Sequence, residues 1–298
     1  MPFRTSNPAM REDVFKPAQT WDDLKAQGRD IPGAELDPSG AGEPPRSPAS
    51  VGARTMTIGG TASKTLFLLA LCVTTACLTW GYLLPWDAKA GHHASSISHD
   101  PLPPLFGGMI VGLIAGLATS FKPMWAPATA PIYALAEGCF VGGVSAWYAV
   151  KFGVTRDGSL TPNYAMIFQA LGLTFGVLGT MLALYAGRII RPTEKLKAGI
   201  VAATGGVCLL YLASMLLGFF GVRMPYLHES GPIGIGLSAV VVVIAAFNFV
   251  LDFDFVETGV RSGAPARLEW YGGFALLVTL VWLYLEILRL LSKIQSRD

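Results

Sequence analysis

The fold of this chain is decided around one stretch, Asn248-Phe249-Val250-Leu251-Asp252-Phe253-Asp254-Phe255-Val256-Glu257. The stretch ends a long apolar run, because no residue between Ile233 and Leu251 carries a charge. Two aspartates then alternate with phenylalanine, and a glutamate follows. Acids set in or against a hydrophobic span are costly in a membrane, so they indicate a functional role.

Composition indicates a polytopic membrane protein. Of the 298 residues, 52% are hydrophobic and only 14% are charged, against about 25% charged residues in a soluble globular domain. The charges are also unevenly distributed, since residues 1–60 hold seven of the 22 Lys/Arg and eight of the 20 Asp/Glu. The rest of the chain is therefore dominated by apolar runs.

Seven continuous apolar runs are long enough to cross a bilayer, which takes about 20 residues of α-helix. Spanning β-strands would instead alternate over about ten residues. The predicted fold is thus an all-α integral membrane protein with seven transmembrane helices, the sixth of which has room to continue past the aspartates. The predicted spans are Thr65–Leu84, Leu105–Phe121, Pro131–Val150, Tyr164–Gly187, Ala198–Phe220, Ile233–Leu251 and Trp270–Leu291.

The N-terminal residues are predicted to form a region of their own. Residues 1–60 contain eight of the 20 prolines together with many Gly, Ser and acidic residues. Such a segment cannot bury enough apolar surface to fold. We therefore expect a disordered polar tail over 1–60 and a seven-helix transmembrane domain over 61–298.

Glycines spaced four residues apart predict close packing of helices. Gly108, Gly112 and Gly116 follow this spacing in the second span, and Gly172 and Gly176 follow it in the fourth. In a seven-helix protein this spacing favours internal packing over dimerisation. The oligomeric state is left open by the sequence.

The Lys and Arg residues of the short loops predict the orientation in the membrane. With the N-terminus inside, the inner loops hold seven basic residues and the outer loops four. The basic C-terminus argues the other way, but the dense cluster from Arg188 to Lys197 outweighs it. We therefore expect a multi-pass protein of the cell (inner) membrane with a cytoplasmic N-terminus.

Four acids at membrane depth are the candidate gate for ions or protons. Asp252 and Asp254 end the sixth run, Glu137 lies less than two turns into the third, and Glu286 lies late in the seventh. Carboxylates that meet at such depth can share protons, or they can bind a hard cation such as calcium through their oxygens. Asp252 and Asp254 are the candidate calcium ligands.

The acids of the sixth span also have a plain structural interpretation. Asp252, Asp254 and Glu257 can form the solvated end of the sixth helix. They would then pair with Arg261 or Arg267. Glu257 is therefore a secondary candidate for the gate.

Two further residues are secondary candidates. Glu286 can form an ordinary helix-end pair with Arg289, three residues on, so Arg289 belongs with it. His228 lies in a turn before the sixth span, where an ion or pH role on the outer face is an alternative to a structural turn.

Several classes of function are not supported by the sequence. It contains no Walker loop, no His-Glu-x-x-His and no Cys-x-x-Cys, and it lacks a nucleophile-and-base constellation. We therefore expect no enzymatic activity and no cofactor. No basic cluster with interleaved aromatics indicates nucleic acid. The expected partners are the lipid bilayer and calcium ions or protons, together with a membrane-protein partner in the second function considered below.

These features resemble the Bax inhibitor (transmembrane Bax inhibitor motif) family, in its bacterial YccA-like branch. The resemblance covers about residues 55–295, and its motifs are the seven spans, Asn248–Asp254, Lys122–Pro127 with Tyr133–Gly138, and the ending Leu283–Leu291. It implies a last helix that is central and wrapped by the other six. It also implies a pH-sensitive calcium leak across the membrane.

The resemblance further implies a gate made of two acids. In that family a pair of aspartates, one in the sixth helix and one in the seventh, shares protons and holds the pore closed. Asp252 or Asp254 would be the sixth-helix member and Glu286 the seventh-helix member. If the seventh helix starts near Arg267, however, Glu286 lies about 28 Å along it, nearly a full bilayer. Glu137 with Asp252 or Asp254 is therefore the slightly preferred pair.

Two functions from different classes follow. The first is a cation (calcium) leak channel or transporter gated by protonation of buried carboxylates. The second is a non-transporting adaptor or regulator of a membrane protease or of another membrane protein. The polar N-terminal tail fits the second function better than it fits a channel.

Overall fold

The computed structural model describes residues 54–87, 92–93, 96–156, 159–220 and 231–296. Within them the chain forms seven long α-helices, one for each predicted span, and two short antiparallel hairpins. The helices are α1 (Ile58–Leu83), α2 (Leu102–Phe121), α3 (Ala126–Lys151), α4 (Tyr164–Ala186), α5 (Glu194–Phe219), α6 (Pro232–Arg261) and α7 (Leu268–Gln295). The hairpins pair β1 (Trp86–Asp87) with β2 (His92–His93) and β3 (Val154–Arg156) with β4 (Ser159–Thr161).

Six of these helices are long and apolar enough to cross a membrane. The remaining helix, α3, has 26 residues but a less apolar sequence, which includes Pro131 and Glu137. Its position explains this composition, because α3 packs against both α1 and α2 and needs small residues there. Apolar side chains such as Leu66, Phe168 and Leu209 are exposed on the outer surface of the bundle, where they contact the bilayer.

The last helix, α7, is the centre of the bundle, as predicted. Buried residues make up 56% of its most apolar segment, against 39% for α6 and less for the others that span. It packs against α1, α3, α4 and α6. A buried hydrogen bond of 2.7 Å between the hydroxyls of Ser145 and Tyr284 joins it to α3.

The sixth helix continues well past the aspartates. It ends at Arg261, three turns beyond the end of its apolar run at Leu251. Asp252, Asp254 and Glu257 therefore lie inside a helix and not at its cap. The helix can continue through these acids because Asp252–Arg261 contains no proline, which would stop it.

The residues that precede α1 pack against the α6–α7 connection. The Met56 amide donates to the Ala264 carbonyl at 2.7 Å, and the Ala266 amide donates to the Arg54 carbonyl at 2.8 Å. Met56 is buried. The end of the predicted tail is thus part of the bundle, whereas residues 1–53 of that tail, and His228, lie outside the described residues.

An acid of α7 completes the N-terminus of α1. Glu269 is buried, and its carboxylate accepts hydrogen bonds from the Thr57 amide at 3.0 Å and from the Thr57 hydroxyl at 2.9 Å. The Thr57 hydroxyl in turn accepts from the Gly60 amide. This arrangement satisfies amides that have no partner within the helix, and the negative charge is favourable at a helix N-terminus.

The glycines of α2 confirm the predicted packing, and those of α4 do not. A Cβ atom added at Gly108 would lie 2.6 Å from the Ala136 carbonyl oxygen of α3, so α2 and α3 approach closely there. A Cβ at Gly172 or Gly176 would meet no atom within 4 Å. The prediction of internal packing is therefore wrong for α4, because that glycine face looks away from the neighbouring helices of this chain.

Candidate functional site

Asp252 is held between the sixth helix and the central helix. It lies nine residues before Arg261, so it is about 14 Å from that end of α6. Thr279 of α7 donates its hydroxyl to the Asp252 carboxylate at 2.6 Å. Asp252 is half-buried. Its hydrogen-bond partner within the described part of the chain, the Thr279 hydroxyl, is a neutral group.

Asp254 points to a different helix and has a cationic partner. Its carboxylate lies 2.7 Å from the Lys197 ammonium group of α5, which also lies 3.1 Å from Glu194. Residues two positions apart on a helix do not share a face, so the side chains of Asp252 and Asp254 point in different directions. The charge of Asp254 is therefore balanced where it lies.

Glu257 is likewise paired. It accepts a hydrogen bond of 2.5 Å from the Tyr185 hydroxyl of α4 and forms an ion pair with Arg261, one turn later on α6. The structural interpretation of this residue, a pair with Arg261, is confirmed. Arg267 is not needed for it.

Glu137 lies on α3, a helix that takes no part in these pairs. A Cβ added at Gly112 of α2 would lie 3.2 Å from a Glu137 carboxylate oxygen, so the side chain lies against that glycine. Tyr133, one turn earlier on α3, is its polar neighbour. Glu137 is 11 residues from the start of α3 at Ala126, or about 17 Å along the helix. Because α3 begins at the same end of the bundle at which α6 ends, Glu137 and Asp252 lie at similar depths.

Glu286 belongs to a buried cluster on α7 and α5. Only 2% of the residue is exposed. It accepts hydrogen bonds from the Tyr211 hydroxyl at 2.9 Å and from the Trp282 indole at 3.3 Å, and it forms an ion pair of 3.3 Å with Arg289. The Arg289 guanidinium also donates to the Tyr211 hydroxyl at 2.5 Å and stacks over its ring. The predicted pair of Glu286 with Arg289 is therefore confirmed and extended.

The four candidate acids do not meet. Asp252 faces α7, Asp254 faces α5, Glu137 lies against α2, and Glu286 binds a tyrosine of α5. No hydrogen bond or ion pair among the described residues joins two of them. Glu286 lies seven residues beyond Thr279, or about 10 Å farther along α7.

Neither predicted acid pair is therefore formed in this structure. The position that faces Asp252 on the central helix holds Thr279, which cannot repel a carboxylate. The other proposed partner, Glu137, is turned towards α2. Hydropathy finds the depth of each acid, but the direction of each side chain depends on how the helices are rotated, which hydropathy does not specify.

A shared calcium site at the two aspartates is not formed either. Asp252 and Asp254 face different helices, so their oxygens do not converge on one ion. Within the described ranges, no group of three His, Cys, Asp or Glu side chains is arranged to hold a metal.

Four further residues with buried or charged contacts were not among the candidates predicted from the sequence. Thr279 and Lys197 are the partners of the two aspartates, Glu269 completes α1, and Lys293 is a buried cation on α7. The Lys293 ammonium group donates to the Gly234 carbonyl at 3.0 Å and to a serine hydroxyl one turn later. The spacing of two between the aspartates was the available signal that they would need separate partners.

Comparison with known proteins agrees with this architecture. A family model described as Bax inhibitor 1 like matches residues 7–296, nearly the whole chain. No curated protein and no solved structure gives a significant match. The seven-helix bundle, its central last helix and the extent of the match lead to one conclusion: the chain belongs to the Bax inhibitor 1 like family.

Proposed function

We propose that this chain forms a pH-sensitive cation leak across the membrane, with calcium as the permeating ion and Asp252 as the group that titrates. One observation carries the proposal. A carboxylate lies about 14 Å inside a membrane-spanning helix, and its hydrogen-bond partner in the described part of the chain is the Thr279 hydroxyl and not a cation. Asp254, Glu257 and Glu286 each have a basic partner. Glu137 also has a neutral polar neighbour, Tyr133, but it lies against Gly112 of α2 and not between α6 and α7.

The charge of Asp252 links pH to cations. An ionised carboxylate at this depth is costly unless a proton or another cation neutralises it. At low pH the proton does so, and the neutral group remains bonded to Thr279 between α6 and α7. At higher pH the carboxylate ionises and calcium can take the place of the proton, so we expect the flux of calcium to rise with pH.

This mechanism needs one acid where the family resemblance implies two. Repulsion between paired carboxylates is not available, because Thr279 faces Asp252. The pH then acts on the attraction of a single carboxylate for cations along the α6–α7 seam. No enzymatic step and no bound cofactor are part of the proposal.

The basic residues between α4 and α5 indicate the orientation of the chain in the membrane. The cluster Arg188–Lys197 lies between α4 and α5, at the end of the bundle from which α1 starts. Because basic loops remain on the cytoplasmic side, we propose a cytoplasmic N-terminus in the cell (inner) membrane. Asp252, Asp254 and Glu137 are then nearer the cytoplasmic side.

The test is calcium flux into proteoliposomes that contain the purified full-length protein, measured over a range of pH. We expect flux that rises with pH for the natural sequence. Asp252→Asn should give low flux at every pH, because the amide keeps a hydrogen bond to Thr279 and cannot ionise. Asp254→Asn is the matched control, the same change two residues away at a carboxylate that already has a lysine partner, and it should keep the rise with pH.

Two outcomes would contradict the proposal. Flux equal to that of empty liposomes at every pH would exclude a leak, and the adaptor function would then be tested by pull-downs with and without residues 1–60. A rise with pH that persists in Asp252→Asn but disappears in Asp254→Asn would show that the titrating group is Asp254.

A further inference from the structure

A large cavity opens on the side of the bundle between α1 and α4. Its volume is about 950 Å³, and its floor is formed by α6 and α7. Ile58 and Leu66 of α1 and Leu182 of α4 form its rim and are 63%, 66% and 50% exposed. In a membrane such a rim faces lipid, so the cavity is open sideways to the bilayer.

The inner walls of the cavity are mostly apolar and about one leaflet deep. The wall contributed by α1 runs from Ile58 to Leu66, and the wall contributed by α4 runs from Leu178 to Ala186. Each contains nine residues, which cover about 12 Å of helix. One leaflet contributes about 15 Å of hydrocarbon. The depth therefore suits the acyl chains of a lipid from one leaflet.

The mouth of the cavity carries an excess of positive charge. Its charged lining residues are Asp254, Glu257, Arg261, Arg188 and Arg191. The two acids are already paired, with Lys197 of α5 and with Arg261. Arg188 and Arg191 are exposed, and no ion pair between described residues involves either. Two guanidinium groups thus remain at the polar end of an apolar cavity.

The backbone at the mouth includes a residue in the left-handed conformation. Arg188 has φ = 55°, the one described non-glycine residue with a positive φ. That conformation is uncommon for a residue with a long side chain, and the turn is held by hydrogen bonds from Arg188 and Ile189 to carbonyls of the last turn of α4. These two hydrogen bonds form the Schellman motif that commonly ends a helix, and they fix the backbone of Arg188 at the end of α4.

We propose that this cavity binds one anionic phospholipid, with its acyl chains along α1 and α4 and its phosphate between Arg188 and Arg191. The guanidinium fork matches phosphate oxygens geometrically, and basic pockets between membrane helices bind acidic headgroups. The proposed lipid-binding cavity is independent of the leak proposed above. It touches the same helices, however, because Leu276 and Leu280 of its floor flank Thr279.

The test uses the full-length protein in a neutral detergent, titrated with phosphatidylglycerol or with phosphatidylcholine of the same acyl chains and followed by native mass spectrometry. We expect one tightly bound phosphatidylglycerol and weaker binding of phosphatidylcholine. The double variant Arg188→Gln/Arg191→Gln should weaken phosphatidylglycerol binding about thirtyfold. Lys195→Gln/Arg267→Gln is the matched control, since it removes two exposed charges at the same end of the bundle that do not line the cavity.

A second variant tests the apolar part. Ala62→Trp fills the space beside α1 without changing charge, and it should reduce the binding of both lipids. Inorganic phosphate should not displace the bound lipid, because it lacks the acyl chains. Equal binding of the two lipids by the natural sequence, equal loss in the control double variant, or displacement by phosphate alone would each overturn the proposal.

Discussion

A threonine stands opposite Asp252, where the family resemblance implies an acid. The Thr279 hydroxyl lets the carboxylate form a hydrogen bond whether it is protonated or ionised. Asp254, two residues on, has the Lys197 ammonium group instead. At the scale of single residues, the partner of each acid therefore decides its role, and similar membrane depth does not.

Glu286 is predicted to stabilise the bundle and not to gate it. Glu286→Ala would leave the Arg289 guanidinium beside Tyr211 without its carboxylate. Because Glu286 is almost fully buried while Arg289 is partly exposed, we expect the free energy of unfolding to fall by about 2 to 3 kcal/mol. The measurement is unfolding in mixed micelles of dodecyl maltoside and sodium dodecyl sulfate.

Glu194→Ala is the control for that prediction. The Glu194 side chain is 90% exposed and also forms a pair three residues apart, with Lys197. Its loss should change the free energy of unfolding by no more than about 0.5 kcal/mol. If Glu286→Ala unfolds no more easily than Glu194→Ala, the cluster on α5 and α7 does not stabilise the protein.

The contact between α2 and α3 shows that closely packed helices need small residues. α3 packs between two neighbours and carries alanines and glycines along its length, so it is less apolar than the other helices. Its backbone comes close enough to α2 that Gly108 has room for hydrogen alone. Close approach of backbones replaces bulky apolar packing here, as is usual for helices in lipid.

A methyl group at Gly108 should separate the two helices. In Gly108→Ala the new Cβ would start 2.6 Å from the Ala136 carbonyl oxygen, so the helices must shift, at a cost of about 1 to 3 kcal/mol. Gly107→Ala is the matched control, because a Cβ there meets no atom within 4 Å. Equal stability of the two variants in the same micelle assay would contradict the close approach of α2 to α3.

The helices themselves could be predicted from the sequence, and their contacts could not. Long apolar runs locate most helix ends to within five residues, because lipid imposes hydropathy on every exposed face. The start of α1 at Ile58 and the end of α6 at Arg261 are the exceptions, seven and ten residues beyond the predicted spans. The α6 helix extends past its apolar run, since Asp254 and Glu257 find cations on or near other helices. Partners such as Lys197 and Thr279 lie far away in the chain, and no periodicity of one helix indicates them.

At the scale of the whole molecule, we expect seven spans, which would put the start of α1 and the end of α7 on opposite sides of the membrane. This conclusion depends on α3, the least apolar helix, which must span as the other six do. The proposed orientation adds that the N-terminal end is cytoplasmic. Both statements can be tested together by labelling the two ends of the chain.

The expected outcome is opposite accessibility of the two ends. A green fluorescent protein joined before Met1 should fluoresce in bacterial cells, and alkaline phosphatase joined after Asp298 should be active outside the cytoplasm. Exchanging the two reporters should abolish both signals. Both ends on one side would contradict seven spans, whereas reversed signals would contradict the orientation alone.

The contact between Thr57 and Glu269 has a consequence for how the protein is made. These residues are 212 positions apart, and they join the start of the first helix to the start of the last. The ribosome therefore releases α1 long before the carboxylate that completes its N-terminus has been synthesised. Until the seventh helix is inserted, the exposed Thr57 amide has water as its partner, while the Gly60 amide is already bonded to the Thr57 hydroxyl. The start of α1 is therefore completed only when the whole bundle has assembled.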